Sequence, residues 1–388
     1  MTSRRVARIA LLRVAAVYFF SFAALGSFFP YLPLLLAARG LRPAELTTVM
    51  TLLPVGNMLV PPLWGFLADA LRLRSVLLVV ACAGCAGSVF LFQPAWQFAG
   101  LLLAAAVLCA FRAPISTLAD ATTYTLLGAD RHRFGVVRVW GSVGFGAAAL
   151  VMGLLGGAAR PTLLVVVCAG CYAASALAAV GLPEPATIER RGLLARAAHA
   201  AWRADTLLLL LATGCYYAGH ACFDAYFTLH LGQLGATSAI TGAAWGLGVL
   251  TEILLMVFAQ RLLQSLPGAK LLAACAGVAT LRWLVLAFTT TPALLLIAQP
   301  LHGITFGVWY LSLVREVQER TPDDLRTSLQ GLTTSATGVG MVVGYVGGGS
   351  VFAHWAGRGL YACAAGAAAL ALALYALRAR LLARAAAS

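Results

Sequence analysis

The chain has 388 residues, 61% of them hydrophobic and only 10% charged, with a formal net charge of +14 and a mean hydropathy of +0.90. A soluble fold of this length cannot hide so much apolar surface, because a large share of any folded chain still faces solvent. The basic residues are scattered over loops and form no single patch, so the charge does not signal a nucleic-acid partner.

Twelve apolar stretches are each long enough to cross a bilayer, for which roughly 20 mostly apolar residues are needed. They run near 11–36, 46–68, 75–93, 96–119, 136–158 and 161–182, then near 205–231, 237–260, 270–289, 292–314, 328–352 and 359–382. The first is too long for a signal peptide and lacks an A-x-A cleavage site, so it reads as a retained span. The fold class expected is an all-α polytopic membrane protein. Pro183 and Pro185 stop the sixth span and open the one long polar connection. Within it, 188–203 fits a basic amphipathic helix on the inner leaflet or a solvated linker. The expected domains are an N-terminal six-helix half at 1–182, a cytoplasmic linker at 183–204 and a C-terminal half at 205–388.

Basic residues mark one side of the membrane. Arg4, Arg5, Arg8 and Arg13 open the chain, Arg72 and Arg74 follow span 2, and Arg131, Arg133 and Arg138 lie between spans 4 and 5. Arg190, Arg191, Arg196, Arg203, Arg261, Lys270, Arg315, Arg320, Arg326, Arg378, Arg380 and Arg384 continue on that side. The opposite loops hold only Arg39, Arg42, Arg160 and Arg358. Short loops rich in Lys and Arg stay cytoplasmic, which places both termini inside. The nine cysteines all lie in apolar runs, where they act as small hydrophobes; the Cys82-x-x-Cys85 and Cys168-x-x-Cys171 pairs lack further ligands, so neither a disulfide framework nor a metal is expected.

The two halves echo each other. Pro114 in span 4 matches Pro300 in span 10. Gly141, Gly144, Gly146 and Gly153 in span 5 match Gly331, Gly338, Gly340, Gly344 and Gly347 to Gly349 in span 11. Small residues allow close backbone approach between membrane helices.

Ionisable residues inside the bilayer point to function. Arg112, Asp120, Arg138, His220, Asp224, Glu252, Arg282 and His302 lie within or at the edges of spans. A central charge costs at least ~2.5–3.5 kcal/mol on insertion scales, so such residues pair with one another or line a wet cavity. Tyr217, His220 and Asp224 share one face of span 7, and Trp245 and Glu252 one stripe of span 8. Arg138, Ser142 and Phe145 share a face of span 5, and His302, Thr305 and Trp309 one of span 10. Polar anchors beside aromatic walls suit an organic solute; structural ion pairs with packing aromatics would give the same pattern.

The spans, the middle loop and the stretch Gly65-Phe-Leu-Ala-Asp69-Ala-Leu-Arg72-Leu-Arg74 resemble the major facilitator superfamily, whose loop motif places an acid four residues after a glycine, ahead of basic residues. The resemblance implies two pseudo-symmetric six-helix halves and a conformational latch at Gly65, Asp69 and Arg72. The stretch Arg138-Val-Trp-Gly141-Ser-Val-Gly144-Phe145 further resembles the phenylpropionate permease and lactose permease branch. That likeness implies solute-binding roles for Arg138, Phe145 and Asp120, and places Asp224, Glu252, Arg282 and His302 in a proton and substrate network. Thr305 stands where that branch has a coupling glutamate, and Gln299 near its lysine, so an identical coupling route and lactose as substrate are not expected. Span 5 also lacks the Gly-Pro signature of drug:proton antiporters.

The function expected is secondary transport of a small organic solute by alternating access, as proton symport, leaning to an aromatic acid. Sugar or nucleoside permeation, or efflux, is the alternative. The solute-binding candidates are Arg112, Asp120, Arg138, Phe145, Tyr217, Trp245, His302 and Trp309; the coupling candidates are Asp224, Glu252 and Arg282. No Walker loop, H-E-x-x-H or G-x-S-x-G motif is present, against ATP-driven transport or an intramembrane enzyme, and the two-half layout disfavours a channel. No cofactor is expected beyond a proton gradient. The expected partners are the solute and the lipid bilayer, for a monomer in a bacterial inner membrane, without nucleic acid.

Overall fold

The computed structural model describes residues 2–94, 97–184, 203–258, 266–321 and 326–387. They form helices and no strand. Ten helices are long and apolar enough to cross a membrane. One of these, Leu329–Arg384, has 56 residues. At 1.5 Å per residue it would reach ~84 Å, far beyond a hydrocarbon core of ~30 Å. The break at Ala356 (φ 51°, ψ −157°) resolves this by dividing the stretch into spans 11 and 12. The tenth span is divided too, into Pro292–Ile297, a π-helical turn at Gly303–Val308 and Trp309–Arg320, with Pro300 between the first two pieces.

Caps set the helix ends. Glu45 holds Arg42 at the start of Pro43–Leu71, its Oε2 accepting from the Arg42 backbone nitrogen and its Oε1 from the Arg42 guanidinium, each at 2.9 Å. That helix ends on Arg72, held in the left-handed region at φ 56°. Both Glu184 oxygens accept from the Ser75 backbone nitrogen, at 3.1 and 3.2 Å, placing an anion at the positive start of the Arg74–Ser88 helix. Span 4 runs from Phe98 to Leu127, past the expected end at 119, and carries Asp120 inside the helix. The Thr122 and Thr123 hydroxyls bond back to the Leu118 and Ala119 carbonyls, so this polar turn needs no water.

Packing divides the chain into two compact units, residues 1–188 with 236–249, and residues 189–235 with 250–388. Most of the expected linker, 185–202, lies outside the described residues, as does the candidate surface helix there. Residues 236–249, expected with the second half, pack within the first unit. A Cβ on Gly242 would stand 2.7 Å from the Ala149 carbonyl oxygen and from Gly153 Cα, an approach that only paired glycines permit.

The internal echo appears as the same packing device in each unit. In the first, a side chain on Gly144 would collide with the Phe19 carbonyl, and one on Gly26 with that of Phe145, so spans 1 and 5 meet backbone to backbone. In the second, Gly340 and Gly344 meet the Gly214 and Ala218 carbonyls in the same way, joining spans 7 and 11. At the basic end of the second unit, buried Glu316 accepts from Arg378 Nη1 at 2.6 Å and pairs with Arg320 at 2.7 Å. Arg378 Nε also donates to the Asp205 carbonyl, tying three helices.

Candidate functional site

In the first unit Tyr18 of span 1 lies beside the span 5 motif. Tyr18 donates to Asp120 Oδ1 at 2.5 Å and lies 3.2 Å from Thr123 Oγ1. Arg138 stacks its guanidinium on the Phe22 ring at 4.1 Å and on Tyr18 at 5.4 Å. The absence of a side chain at Gly141 leaves space for it; a Cβ there would come within 2.7 Å of Arg138 Nη1. Asp120 and Arg138 are coupled by charge, with the Tyr18 phenol touching both. Phe145 meets Trp245 edge to face, centroids 5.9 Å apart. Tyr18 and Phe22 are the binding-site candidates that sequence reasoning passed over; the only signal was the aromatic density of Tyr18-Phe-Phe-Ser-Phe22.

Arg112 stands apart, two turns before Asp120 and so ~12 Å along the same helix. Its Nη2 donates to Asn57 Oδ1 at 2.6 Å, and its guanidinium lies 5.4 Å from the Phe29 ring. Its Nε is buried with no hydrogen-bond partner among the described residues.

The second unit gathers a denser network. Buried Arg282 donates from Nη1 to Thr305 Oγ1 at 3.0 Å and to His302 Nδ1 at 3.3 Å, and from Nη2 to Gln299 Oε1 at 3.1 Å. Its guanidinium also lies 4.3 Å from the Phe223 ring and 4.7 Å from that of Trp283. His302 Nε2 faces Glu252 Oε2 at 3.9 Å. The close passage of Gly303 along the Thr251 and Glu252 backbone, where a Cβ would stand 2.7 Å away, brings spans 8 and 10 together. The π-turn widens the helix at this point, as such turns often do at functional sites. There the Thr305 carbonyl accepts the Tyr216 hydroxyl. Tyr216 stacks on Trp309 at 4.6 Å, Tyr217 lies 5.3 Å from the same indole, and Trp309 Nε1 donates to Tyr375.

Two expectations change here. Gln299, which stands near the place of the branch's lysine, binds Arg282 and the Leu295 carbonyl and not Asp224. Asp224 makes no hydrogen bond among the described residues and couples to Arg282 by charge alone. Nor do the intramembrane arginines pair directly with the carboxylates. Among the described residues none of Arg112, Arg138 and Arg282 comes within salt-bridge distance of one; amide, imidazole, hydroxyl and ring partners surround them instead. His220, on the Tyr217 face as expected, is enclosed by rings, and neither of its nitrogens has a partner among the described residues. At the expected latch, a Cβ on Gly65 would meet open space, Arg72 caps its helix, and the Asp69 side chain lies outside what the structure describes.

Residues 11–362 match the model of the MFS_1 like family. The chain is 25% identical over 345 residues to the maltose permease of Geobacillus stearothermophilus, covering 87% of this chain and 86% of that protein. It is 26% identical over 313 residues to the probable 3-phenylpropionic acid transporter of Escherichia coli (strain K12), covering 78% of this chain and 80% of that protein. The crystal structure of the nucleoside transporter NupG superposes with a TM-score of 0.82 at 17% identity, over 95% of this chain and 98% of that one. At that identity the likeness carries the fold, twelve membrane helices in two pseudo-symmetric halves.

Proposed function

The chain belongs to the MFS_1 like family of major facilitator transporters, and from that premise we propose that it moves a small organic anion, of the aromatic-acid kind, together with protons. The multi-pass membrane protein is a secondary transporter by family; the solute and the coupling ion are our reading. One observation carries it: of the guanidiniums within spans, those of Arg112, Arg138 and Arg282 make no salt bridge to a carboxylate among the described residues. Arginine grips carboxylates bidentately, so cations left without protein carboxylates favour an anionic guest. The name of the phenylpropionic acid relative points the same way.

In this reading Arg112, Asp120, Arg138, Phe145 and Trp245 in the first unit, and Tyr217, His302 and Trp309 in the second, contact the solute. Glu252 and Asp224 take up and release the proton, with Arg282 setting their charge balance. Gly65, Asp69 and Arg72 stabilise one transport conformation. The membrane is the bacterial inner membrane, with both termini in the cytoplasm. A sugar or nucleoside permease is the second reading, favoured by the Phe145–Trp245 ring pair and by the maltose permease relative.

Counterflow in proteoliposomes decides between them. Preloading with aromatic monocarboxylates should accelerate labelled 3-phenylpropionate entry, whereas maltose and uridine should not. Accelerated exchange of the neutral solutes alone would replace the anion reading with the second one.

A further inference from the structure

Buried polar atoms without partners collect at one place in the second unit. Arg282 commits Nη1 and Nη2 to His302, Thr305 and Gln299, but its Nε has no hydrogen-bond partner among the described residues. The same holds for Trp283 Nε1, the Tyr361 hydroxyl and both nitrogens of His220. These side chains adjoin one another. The Trp283 ring lies 4.7 Å from the Arg282 guanidinium, 5.6 Å from the His220 ring and 6.2 Å from that of Tyr361. Asp224 stands one turn beyond His220 on span 7, and Arg282 and Tyr361 both sense its charge. Spans 7, 9 and 12 thus gather a guanidinium, an indole, a phenol, an imidazole and a carboxyl, with no hydrogen bond between any two of them among the described residues.

The chemistry of this set identifies what it takes. Arginine Nε and indole Nε1 only donate, a carboxylate only accepts, and a phenol or an uncharged imidazole does both. An anion would sit beside the Asp224 carboxylate, a cation would meet N–H groups, and an apolar guest would leave every group unsatisfied. Water accepts from the nitrogens and donates to the carboxylate and the imidazole, as buried water in a polar pocket does. Size agrees. Arg282 and Tyr361 are 0% exposed and His220 and Trp283 1%, which shuts out an organic molecule. Asp224 is only half-buried and gives water its way in.

The first unit repeats the arrangement. Arg112 Nε and the Tyr172 hydroxyl are buried without a partner among the described residues, and the phenol senses the Arg112 charge. Tyr172 belongs to span 6 and Tyr361 to span 12, the last span of each half. Each half therefore brings an arginine Nε and a last-span tyrosine hydroxyl, both unpartnered, within range of each other's charge. A recurrence of this kind marks a device of the fold.

We propose that water occupies a buried pocket among spans 7, 9 and 12, where it accepts from Arg282 Nε and Trp283 Nε1, bonds the Tyr361 hydroxyl and donates to Asp224 and His220. A matching water joins Arg112 Nε to the Tyr172 hydroxyl in the first unit. The charge coupling between Asp224 and Arg282 then runs through the hydrogen bonds of water. This holds whichever solute the protein carries.

The test uses purified full-length protein in nanodiscs, oxidised by hydroxyl radicals from a brief X-ray pulse and read by mass spectrometry. Radicals form in place from bound water, so a buried ring beside water is oxidised and a buried ring in dry surroundings is not. Tyr226 and Tyr31 are the dry reference, being 2% and 0% exposed with hydroxyls bonded to the Tyr345 and Ala149 carbonyls. Tyr361 and Tyr172 should be oxidised about ten-fold faster than these two. A Tyr361 rate equal to the reference would overturn the pocket, and a Tyr172 rate equal to it would remove the water of the first unit. Asp224→Leu, which deletes the acceptor, should bring Tyr361 down to the reference while Tyr172 keeps its own rate. Asp224→Asn still bonds water and should keep Tyr361 within about two-fold of the wild type. An unchanged Tyr361 rate in Asp224→Leu would take Asp224 out of the pocket and overturn its link to Arg282 through water. The wild-type comparison needs no variant and decides the pocket even if Asp224→Leu does not fold. A crystal structure should show a density peak within about 3.2 Å of both Arg282 Nε and the Tyr361 hydroxyl; direct contacts from these atoms to protein acceptors would overturn the inference.

Discussion

Arg282 donates to Nδ1 of His302 at 3.3 Å, and this contact determines which ring nitrogen carries hydrogen. A guanidinium has no lone pair to offer, so Nδ1 must be the acceptor and the hydrogen sits on Nε2. That Nε2 faces Glu252 Oε2 at 3.9 Å. A neutral imidazole thus stands between a fixed cation and a buried carboxyl, close enough to sense a change in the charge of either.

Glu252 is placed to respond when solute or conformation alters that arrangement. Glu252→Gln is expected to abolish proton-driven accumulation while leaving solute exchange, because exchange needs no net proton movement. Accumulation assays beside counterflow check this. If accumulation survives Glu252→Gln and fails in Asp224→Asn, the coupling role moves to span 7.

Glu316 is 1% exposed and accepts from Arg378, itself 3% exposed, while pairing with Arg320. Removing one partner of a buried ion pair strands the other charge, at a cost of about 3–5 kcal/mol. Glu316→Gln should therefore lower the unfolding temperature in detergent markedly. The surviving folded fraction should keep its solute affinity, since this cluster is separate from the Arg282 network.

Glycine positions divide sharply by what surrounds them. Gly144→Ala and Gly344→Ala push a methyl into the Phe19 and Ala218 carbonyls and should reduce yield and monodispersity. Gly87→Ala and Gly170→Ala, which face open space, should leave both near wild type. Size-exclusion profiles of the four variants provide the comparison; equal profiles would mean the spans part easily at these contacts.

The loop charges predict topology. Reporter tags at Met1 and Ser388 should both register in the cytoplasm, as the concentration of arginines on one side requires. Opposite locations would imply an odd number of crossings and would be incompatible with two six-helix halves.

Asp69→Asn should slow transport while sparing membrane insertion and solute affinity. Losing a charge-assisted contact at a helix end shifts a two-state balance by ~1–2 kcal/mol, on the order of ten-fold in population. Initial uptake rates against equilibrium binding separate the two effects. An unchanged rate would reduce Asp69 to an ordinary loop acid.

The membrane class, the twelve crossings and the glycine stripes were legible in the chain, because the cost of burying charge or baring backbone in lipid constrains each segment locally. Hydropathy alone could not say where span 10 breaks, since Pro300 marks a distortion without fixing the π-turn that follows. The ionisable residues were legible too, as rare and costly exceptions within apolar runs.

Their partners were not legible, because a hydrogen bond across a bundle depends on the rotation of each helix and on side-chain direction. Spacing along one span gives a face but not what that face meets. Thus the sequence marked Arg112 and Arg138 as solute-binding candidates and Arg282 as a coupling candidate, without fixing what each of them touches. Tertiary packing gave the first an amide, the second two rings from span 1 and the third an imidazole, a hydroxyl and Gln299. Composition determined that this chain lives in a membrane with cations inside it; only the packed bundle decided which groups each of them meets.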